Sequence, residues 1–158
     1  MFRLETEVDR ERRSLLNGRL RDDNRAASPE LRALLTTPAE HEVPLEVWAL
    51  DEQGGIVGGL TGRTWAYWLH VELLWVEATH RGLGLGSLLL TEAERVARTE
   101  RDCTASRVET WDFQAPGFYR SHGYEEAGRV DNYPPGVTEF VLTKRLGRDG
   151  GHPPTARR

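Results

Sequence analysis

The stretch WVEATHRGLGLGSLLLTEAERVAR, Trp75 to Arg98, runs from the end of an apolar strand through a turn with glycines at 82, 84 and 86 into a helix. Each glycine costs backbone entropy and packs nothing, so three in one turn require a reason. A turn without β-carbons between a strand and a helix leaves several backbone N–H groups aimed outward at the positive end of the helix dipole. Such a turn is an anion cradle, because a side chain there would hold a phosphate too far from the amides. The plainer alternative is a tight connection whose glycines serve only positive φ. Two other phosphate loops do not fit. No lysine follows these glycines as a P-loop needs, and a G-x-G-x-x-G count started at Gly82 ends on Ser87, or at Gly84 on Leu89. The spacing present is R-x-x-G-x-G, from Arg81 to Gly86.

The chain of 158 residues has the length of one domain, expected over residues 1–146. Hydrophobic residues at 38% and charged residues at 29% are those of a globular protein, and no apolar run approaches the ~20 residues that span a bilayer, so no membrane partner is expected. The N-terminal MFRLETEVDRERRS alternates charges without an apolar segment behind them, unlike a secretory signal, so a cytoplasmic location is expected. A formal charge of −4 argues against nucleic acid as a partner and fits a cationic small substrate better. Cys103 is the single cysteine, which excludes an intrachain disulfide and a cysteine zinc site; it reads as a small buried residue. The five histidines show no ligand spacing and no serine stands in a G-x-S-x-G turn, so no metal and no serine triad are expected. A nucleotide-dependent transferase would need metal-binding carboxylates and a phosphate lysine, which the turn does not supply.

Leucines 15, 16 and 20 near helical spacing predict an amphipathic helix over residues 6–24, and Ser28-Pro29-Glu30 reads as the capped start of a second helix that ends before Pro38. Residues 45–76 change to period two around DEQGG, which predicts an antiparallel meander of three strands. A helix follows from Ser87 to near Arg101, with Leu88, Leu89, Ala93, Val96 and Ala97 on its buried side. SRVETWD is a strand, APGFYRSHG a short helix ended by Gly123, YEEAGRV a strand, DNYPPG a loop and TEFVLTKRL the closing strand. From Gly147 the composition predicts a disordered tail.

The turn and its context resemble the GNAT superfamily of N-acetyltransferases, in which a motif of this form follows the fourth strand and binds the pyrophosphate of acetyl-coenzyme A. LLWVEATHRGLGLGSLLL is similar to the family's strand-turn-helix run, and GFYRSHGYEEAGRV to its second landmark. The likeness runs from about Pro44 to Leu146, and ETWDFQAPGFY with NYPPG resembles a bacterial branch described only as acetyltransferases. It implies an α/β fold of α+β type: a mixed, mostly antiparallel sheet of about six to seven strands flanked by about four helices. It also implies acetyl-CoA as co-substrate, a small-molecule or peptide amine as acceptor, direct transfer through a ternary complex, and an assembly that is often a homodimer. A sensor that binds acetyl-CoA without chemistry, or an interaction module, is the other reading left open.

Acetyl transfer from a thioester to an amine needs a deprotonated amine, a polarised carbonyl and a proton for the departing thiolate. Tyr119 stands where the family's general acid usually stands, and a phenol of pKa ~10 is protonated at neutral pH; its bland alternative is aromatic core. For the base, period-two alternation puts His70, Glu72, Leu74 and Val76 on one strand face. His70 falls at the place of a carboxylate base in some family members, and Glu72 is the carboxylate nearer the reaction centre; a structural His–Glu pair, or a reaction without a dedicated base, stays open. The resemblance assigns carbonyl polarisation to the N–H of Leu74 at a strand bulge, and cofactor contacts to Leu74-Trp75-Val76 and to Arg81, Gly82, Leu83, Gly84, Leu85, Gly86 and Ser87. Asp112, where the family often has asparagine, and Gln114 are candidates for the pantetheine arm. By alternation Trp65 and Tyr67 face away from Trp68. Trp68, and Tyr133 in the Pro134-Pro135 loop, are candidate acceptor contacts, with Asp131 or Glu139 to attract an ammonium.

Overall fold

The first helix, α1 (Arg10–Ala27), opens where the Asp9 carboxylate accepts the Arg12 N–H at 2.9 Å. Ser28, which closes it, caps α2 (Pro29–Ala33) by accepting the Leu31 N–H at 3.2 Å, with Pro29 in the first turn as the sequence pattern implies. Both helices belong to the first of two compact units in the computed structural model, which describes residues 2–147; that unit ends at Glu40 and the second begins at His41. α1 starts later than its periodicity indicates, and α2 stops at Ala33, short of Pro38, with Thr36 at φ 68° soon after. Leu15, Leu16 and Leu20 have helical spacing, yet each is more than half exposed and α1 buries no residue. The expected tail beyond Gly147 lies outside the described residues.

In the second unit, β1 (Val43–Leu50), β2 (Ile56–Trp65) and β3 (Trp68–Val76) form the expected meander. The Asp51 carboxylate shapes the first turn by accepting the N–H groups of Gln53 and Gly55 at 2.9 and 2.7 Å. A 3-10 turn (Ala78–His80) leads into α3 (Leu85–Glu100), followed by β4 (Ala105–Trp111), α4 (Pro116–Ser121), β5 (Glu125–Asp131) and β6 (Thr138–Arg145). The six strands form one sheet in the order β1-β2-β3-β4-β6-β5. Among the described residues only β3 and β4 run parallel, which requires a long crossover, and α3 supplies it. The described residues therefore form the mixed, mostly antiparallel sheet and four helices that the resemblance implies.

α3 lays Leu89, Leu90, Ala93 and Ala97 onto Leu45, Leu60, Leu69, Val71 and Leu142 of the sheet. The buried stripe is rotated from the expected one: Leu88 is two-thirds exposed and Leu90 is fully buried. Cys103 is buried with this core, and desolvation pushes its thiol up to about 11, as suits a packing residue.

Two departures from strict alternation decide where the β3 side chains point. First, Ala66 and Tyr67 both have positive φ, 49° and 63°, and make a two-residue hairpin turn although neither is glycine. Trp65 therefore pairs directly with Trp68, and the two indoles share a face, contrary to the alternation that set them apart. Second, the register steps from Thr61↔Leu73 to Gly62↔Val71, leaving Glu72 as a bulge. Gly62 permits the close approach, since a β-carbon there would stand 2.3 Å from the His70 carbonyl oxygen. The bulge reverses the parity: Leu69 and Val71 before it, and Leu74 and Val76 after it, all pack toward the core. His70 and Glu72 thus do not share a face with Leu74 and Val76.

Candidate active site

The β3–β4 register runs from Trp68↔Ala105 to Val71↔Val108 and goes no further, so the strands part just beyond the bulge. The Glu77 N–H donates to Val57 O on β2 at 2.9 Å. Strand alternation then aims the N–H groups of Val76 and Leu74 at the opposite edge, toward the gap. A wedge with outward donors lies between the two strands.

At the end of the wedge sits the glycine turn. Gly82 and Gly84 have φ of 75° and 82°, and a β-carbon on either would meet nothing within 4 Å among the described residues beyond its chain neighbours. Glycine is required by conformation there, and the space above the backbone is open. Gly84 is the N-cap of α3 and offers no side chain to its first N–H groups, and no acidic residue stands in the first turn. Those orphan donors and the helix dipole therefore face outward without a competing anion. The Arg81 Nε donates to Val76 O at 2.9 Å and braces the turn against the strand end.

A hollow of about 430 Å³ joins the turn to the wedge. Leu74, Val76, Arg81, Gly82 and Gly84 line it, and so do Leu85, Gly86 and Ser87. Trp75 and Leu83, also expected at the cofactor, are not in its lining and are 50% and 75% exposed. His80, Ala115 and Phe118 line it without having been singled out. Phe118 could have been found from its place beside Tyr119: its ring lies 3.5 Å from where a Gly86 β-carbon would stand, so α4 packs against the start of α3 there. Asp112 and Gln114 lie elsewhere. The Asp112 carboxylate accepts the Thr138 N–H at 3.1 Å and the Gln114 amide oxygen accepts the Trp111 N–H at 3.2 Å, so both organise the β4–α4 loop.

Tyr119 is 6% exposed, edge-on to Phe118 and Tyr124 at 5.2 and 5.5 Å. Burial pushes its phenol up to about 12, which keeps it protonated across physiological pH. On the other side of the sheet, His70 Nε2 lies 2.6 Å from a Glu109 carboxylate oxygen. Glu109 also pairs with Arg107. Desolvation pushes the Glu109 carboxyl up, but the hydrogen bonds from His70 and Arg107 outweigh it and hold the pKa below the usual value. The strands bring these groups together because His70 is level with Arg107, two residues before Glu109 on the same face. Glu72 instead pairs with Arg63, which also meets Glu42 at 3.3 Å. A second hollow of about 560 Å³ is lined by Trp65, Trp68, His70 and Arg107. Tyr133 is 56% exposed in the β5–β6 loop and does not line this hollow.

Comparisons with known proteins give the family. The family described as Acetyltransferase (GNAT) domain matches residues 44–126. Blasticidin-S acetyltransferase of Streptomyces morookaense is 52% identical over 131 residues, spanning 81% of this chain and 96% of that protein. The crystal structure of an acetyltransferase from Bacillus cereus ATCC 14579 superposes with a TM-score of 0.78 at 30% identity, covering 90% of this chain and 97% of the other. A candidate streptothricin acetyltransferase from Bacillus anthracis str. Ames, solved with acetyl coenzyme A, shares the fold with a TM-score of 0.57 at 21% identity over 65% and 62% of the two chains. The chain belongs to the GNAT acetyltransferase family. It is an acetyl-CoA-dependent acetyltransferase, and the open glycine turn with its uncompeted N–H groups fits the anionic end of that co-substrate.

Proposed function

We propose that this chain transfers the acetyl group of acetyl-CoA directly to a primary amine of a small antibiotic, with both substrates bound together and with residues 1–146 acting as one acetyltransferase domain. The hydrogen-bonded His70–Glu109 pair, placed where β3 and β4 part, carries the reading. A carboxylate can only accept, so Nε2 carries the ring hydrogen and Nδ1 of the neutral ring is left as a lone pair for an incoming ammonium. Glu109 fixes the tautomer and stabilises the imidazolium that forms when the proton is taken. Glu72 is engaged by Arg63, which supports His70 over Glu72 as the base.

When bound, acetyl-CoA supplies an activated acetyl thioester and a thiolate leaving group. The N–H groups of the turn and of the α3 start would hold its pyrophosphate, and those of Leu74 and Val76 would hold the acetyl oxygen and pantetheine in the wedge. Tyr119 would keep a proton ready for the sulfur, since its phenol stays neutral up to about 12. Trp68 and Tyr133 are proposed contacts for the acceptor, which would reach His70 from the second hollow. Blasticidin S is the first acceptor to try, because a protein of 52% identity is named for it.

The test is thiol release from acetyl-CoA with blasticidin S and a panel of primary amines, in wild type, His70→Ala and Tyr119→Phe. Loss of each group should lower kcat by about 10²-fold or more with little change in the KM for acetyl-CoA. Full activity in both variants would sink the assigned roles, and no release with any amine would sink the acceptor class.

A further inference from the structure

His122 follows α4, and both of its ring nitrogens are engaged. Nδ1 lies 2.8 Å from the Phe118 carbonyl oxygen, which can only accept, so Nδ1 carries the hydrogen of the neutral ring. The Ser121 hydroxyl, 3.2 Å from the same nitrogen, donates to that carbonyl at 2.7 Å and does not alter the assignment. Nε2 lies 2.9 Å from the hydroxyl oxygen of Ser87. Ser87 stands in the first turn of α3 and lines the turn hollow. In the neutral ring Nε2 is an acceptor, so Ser87 must give its only hydroxyl hydrogen to His122 and turn lone pairs toward the cradle. In the imidazolium Nε2–H donates to Ser87, and the hydroxyl hydrogen becomes available to an anion.

We propose that His122 is a positioning residue for the co-substrate: its protonation state sets whether the Ser87 hydroxyl meets the pyrophosphate as an acceptor or as a donor. The inference rests on the pyrophosphate lying at the glycine turn. A donor adds a charge-assisted hydrogen bond to the backbone N–H set, whereas a lone pair opposes the anion. Coenzyme A is therefore held more tightly when His122 is charged, and by linkage the bound anion raises the proton affinity of His122 by the same factor. Charged groups on the surrounding elements have other partners. Arg120 on α4 meets Glu126 at 3.5 Å and the Phe140 ring at 5.1 Å. Arg81 in the turn is bonded to Val76 O and His80 pairs with Glu77 at 2.9 Å. Lys144 on β6 is bound to Glu94 at 2.6 Å. Ser87 is the side chain that links His122 to the turn by a hydrogen bond, in addition to the through-space attraction of a ligand charge.

The test uses coenzyme A as the probe. The C2-proton resonance of His122 is titrated with and without coenzyme A, and binding is measured by calorimetry from pH 5.5 to 8.5 in wild type, Ser87→Ala and His122→Gln. Coenzyme A should raise the His122 midpoint by about 0.5 unit, equivalent to a threefold gain in affinity on protonation. The phosphates of the probe titrate in the same window, so the difference between wild type and Ser87→Ala is the reading. The Ser87→Ala protein should keep only the through-space part of that pH slope. His122→Gln has no titrating ring, so binding should lose that slope whichever end of the amide faces Ser87. A His122 midpoint unmoved in wild type that binds coenzyme A, or an equal slope in Ser87→Ala, overturns the proposal. Absence of binding to wild type would instead overturn the placement of the pyrophosphate, and this inference with it.

Discussion

Replacing Gly84 by alanine separates the two reasons a glycine can stand in the turn. Its φ of 82° lies in the left-handed region, where a β-carbon costs about 1–2 kcal/mol. Alanine also lowers the entropy of the unfolded chain, which returns about 0.4–1 kcal/mol. Beyond its chain neighbours, no atom of the described residues lies within 4 Å of the added carbon, so no steric clash enters and the net loss should be up to about 1.6 kcal/mol. For a chain of this size that is a fall in Tm of up to about 6 °C. Gly117 is the internal control: it too has nothing within 4 Å but lies in α4 without a positive φ, so Gly117→Ala should be neutral or stabilise by up to about 1 kcal/mol. The assay is thermal unfolding by circular dichroism with calorimetric titration of acetyl-CoA into both variants. Gly84→Ala should weaken binding by tenfold or more, well beyond its stability loss, because the methyl group would stand over the amides proposed to hold the pyrophosphate. Equal stability of the two variants would refute the conformational argument, and wild-type affinity in a folded Gly84→Ala protein would refute the cradle.

Other perturbations probe different parts of the fold. The Glu109 pKa is depressed in the folded state, so its stabilising contribution is full above the unfolded value near 4.3 and lost as pH falls through the lower folded value; Glu109→Gln should flatten that part of an acid-unfolding curve, and an unchanged curve would contradict it. Lys144 is the ion-pair partner of Glu94, whose second carboxylate oxygen is buried with no hydrogen-bond partner among the described residues, so Lys144→Met should destabilise by about 3 kcal/mol in urea unfolding. Ala66 holds φ 49° in the β2–β3 turn, and Ala66→Asn should stabilise by about 0.5–1 kcal/mol, read from the urea midpoint at constant slope. The Tyr119 phenol is raised to about 12 from an unfolded value near 10, so its contribution is full below pH 10 and is lost as pH rises toward 12; Tyr119→Phe should remove that part of the alkaline loss.

Local chemistry made much of this molecule readable. Ser28, Pro29 and Glu30 announce a helix start because a cap needs only neighbours in the chain. The three glycines beside Arg81 announce the turn because positive φ and open backbone are properties of a few consecutive residues. Period-two runs located the strands for the same reason.

Failure came where a residue's direction depends on a distant partner. Glu72 is bulged because Gly62, ten positions earlier, lets β2 approach closely, and that single extra residue turns Leu74 and Val76 to the core. Trp65 and Trp68 share a face because Ala66 and Tyr67 accept left-handed backbone that their side chains do not advertise. His70 finds Glu109 and not Glu72 because the parallel β3–β4 register, set through the α3 crossover, brings a residue 39 positions away to its side. Sequence alone determines the family of turns, caps and strands, since each is written in contiguous residues. Tertiary structure alone decides which side chains meet, since one bulge or one register step moves every later side chain to the other face.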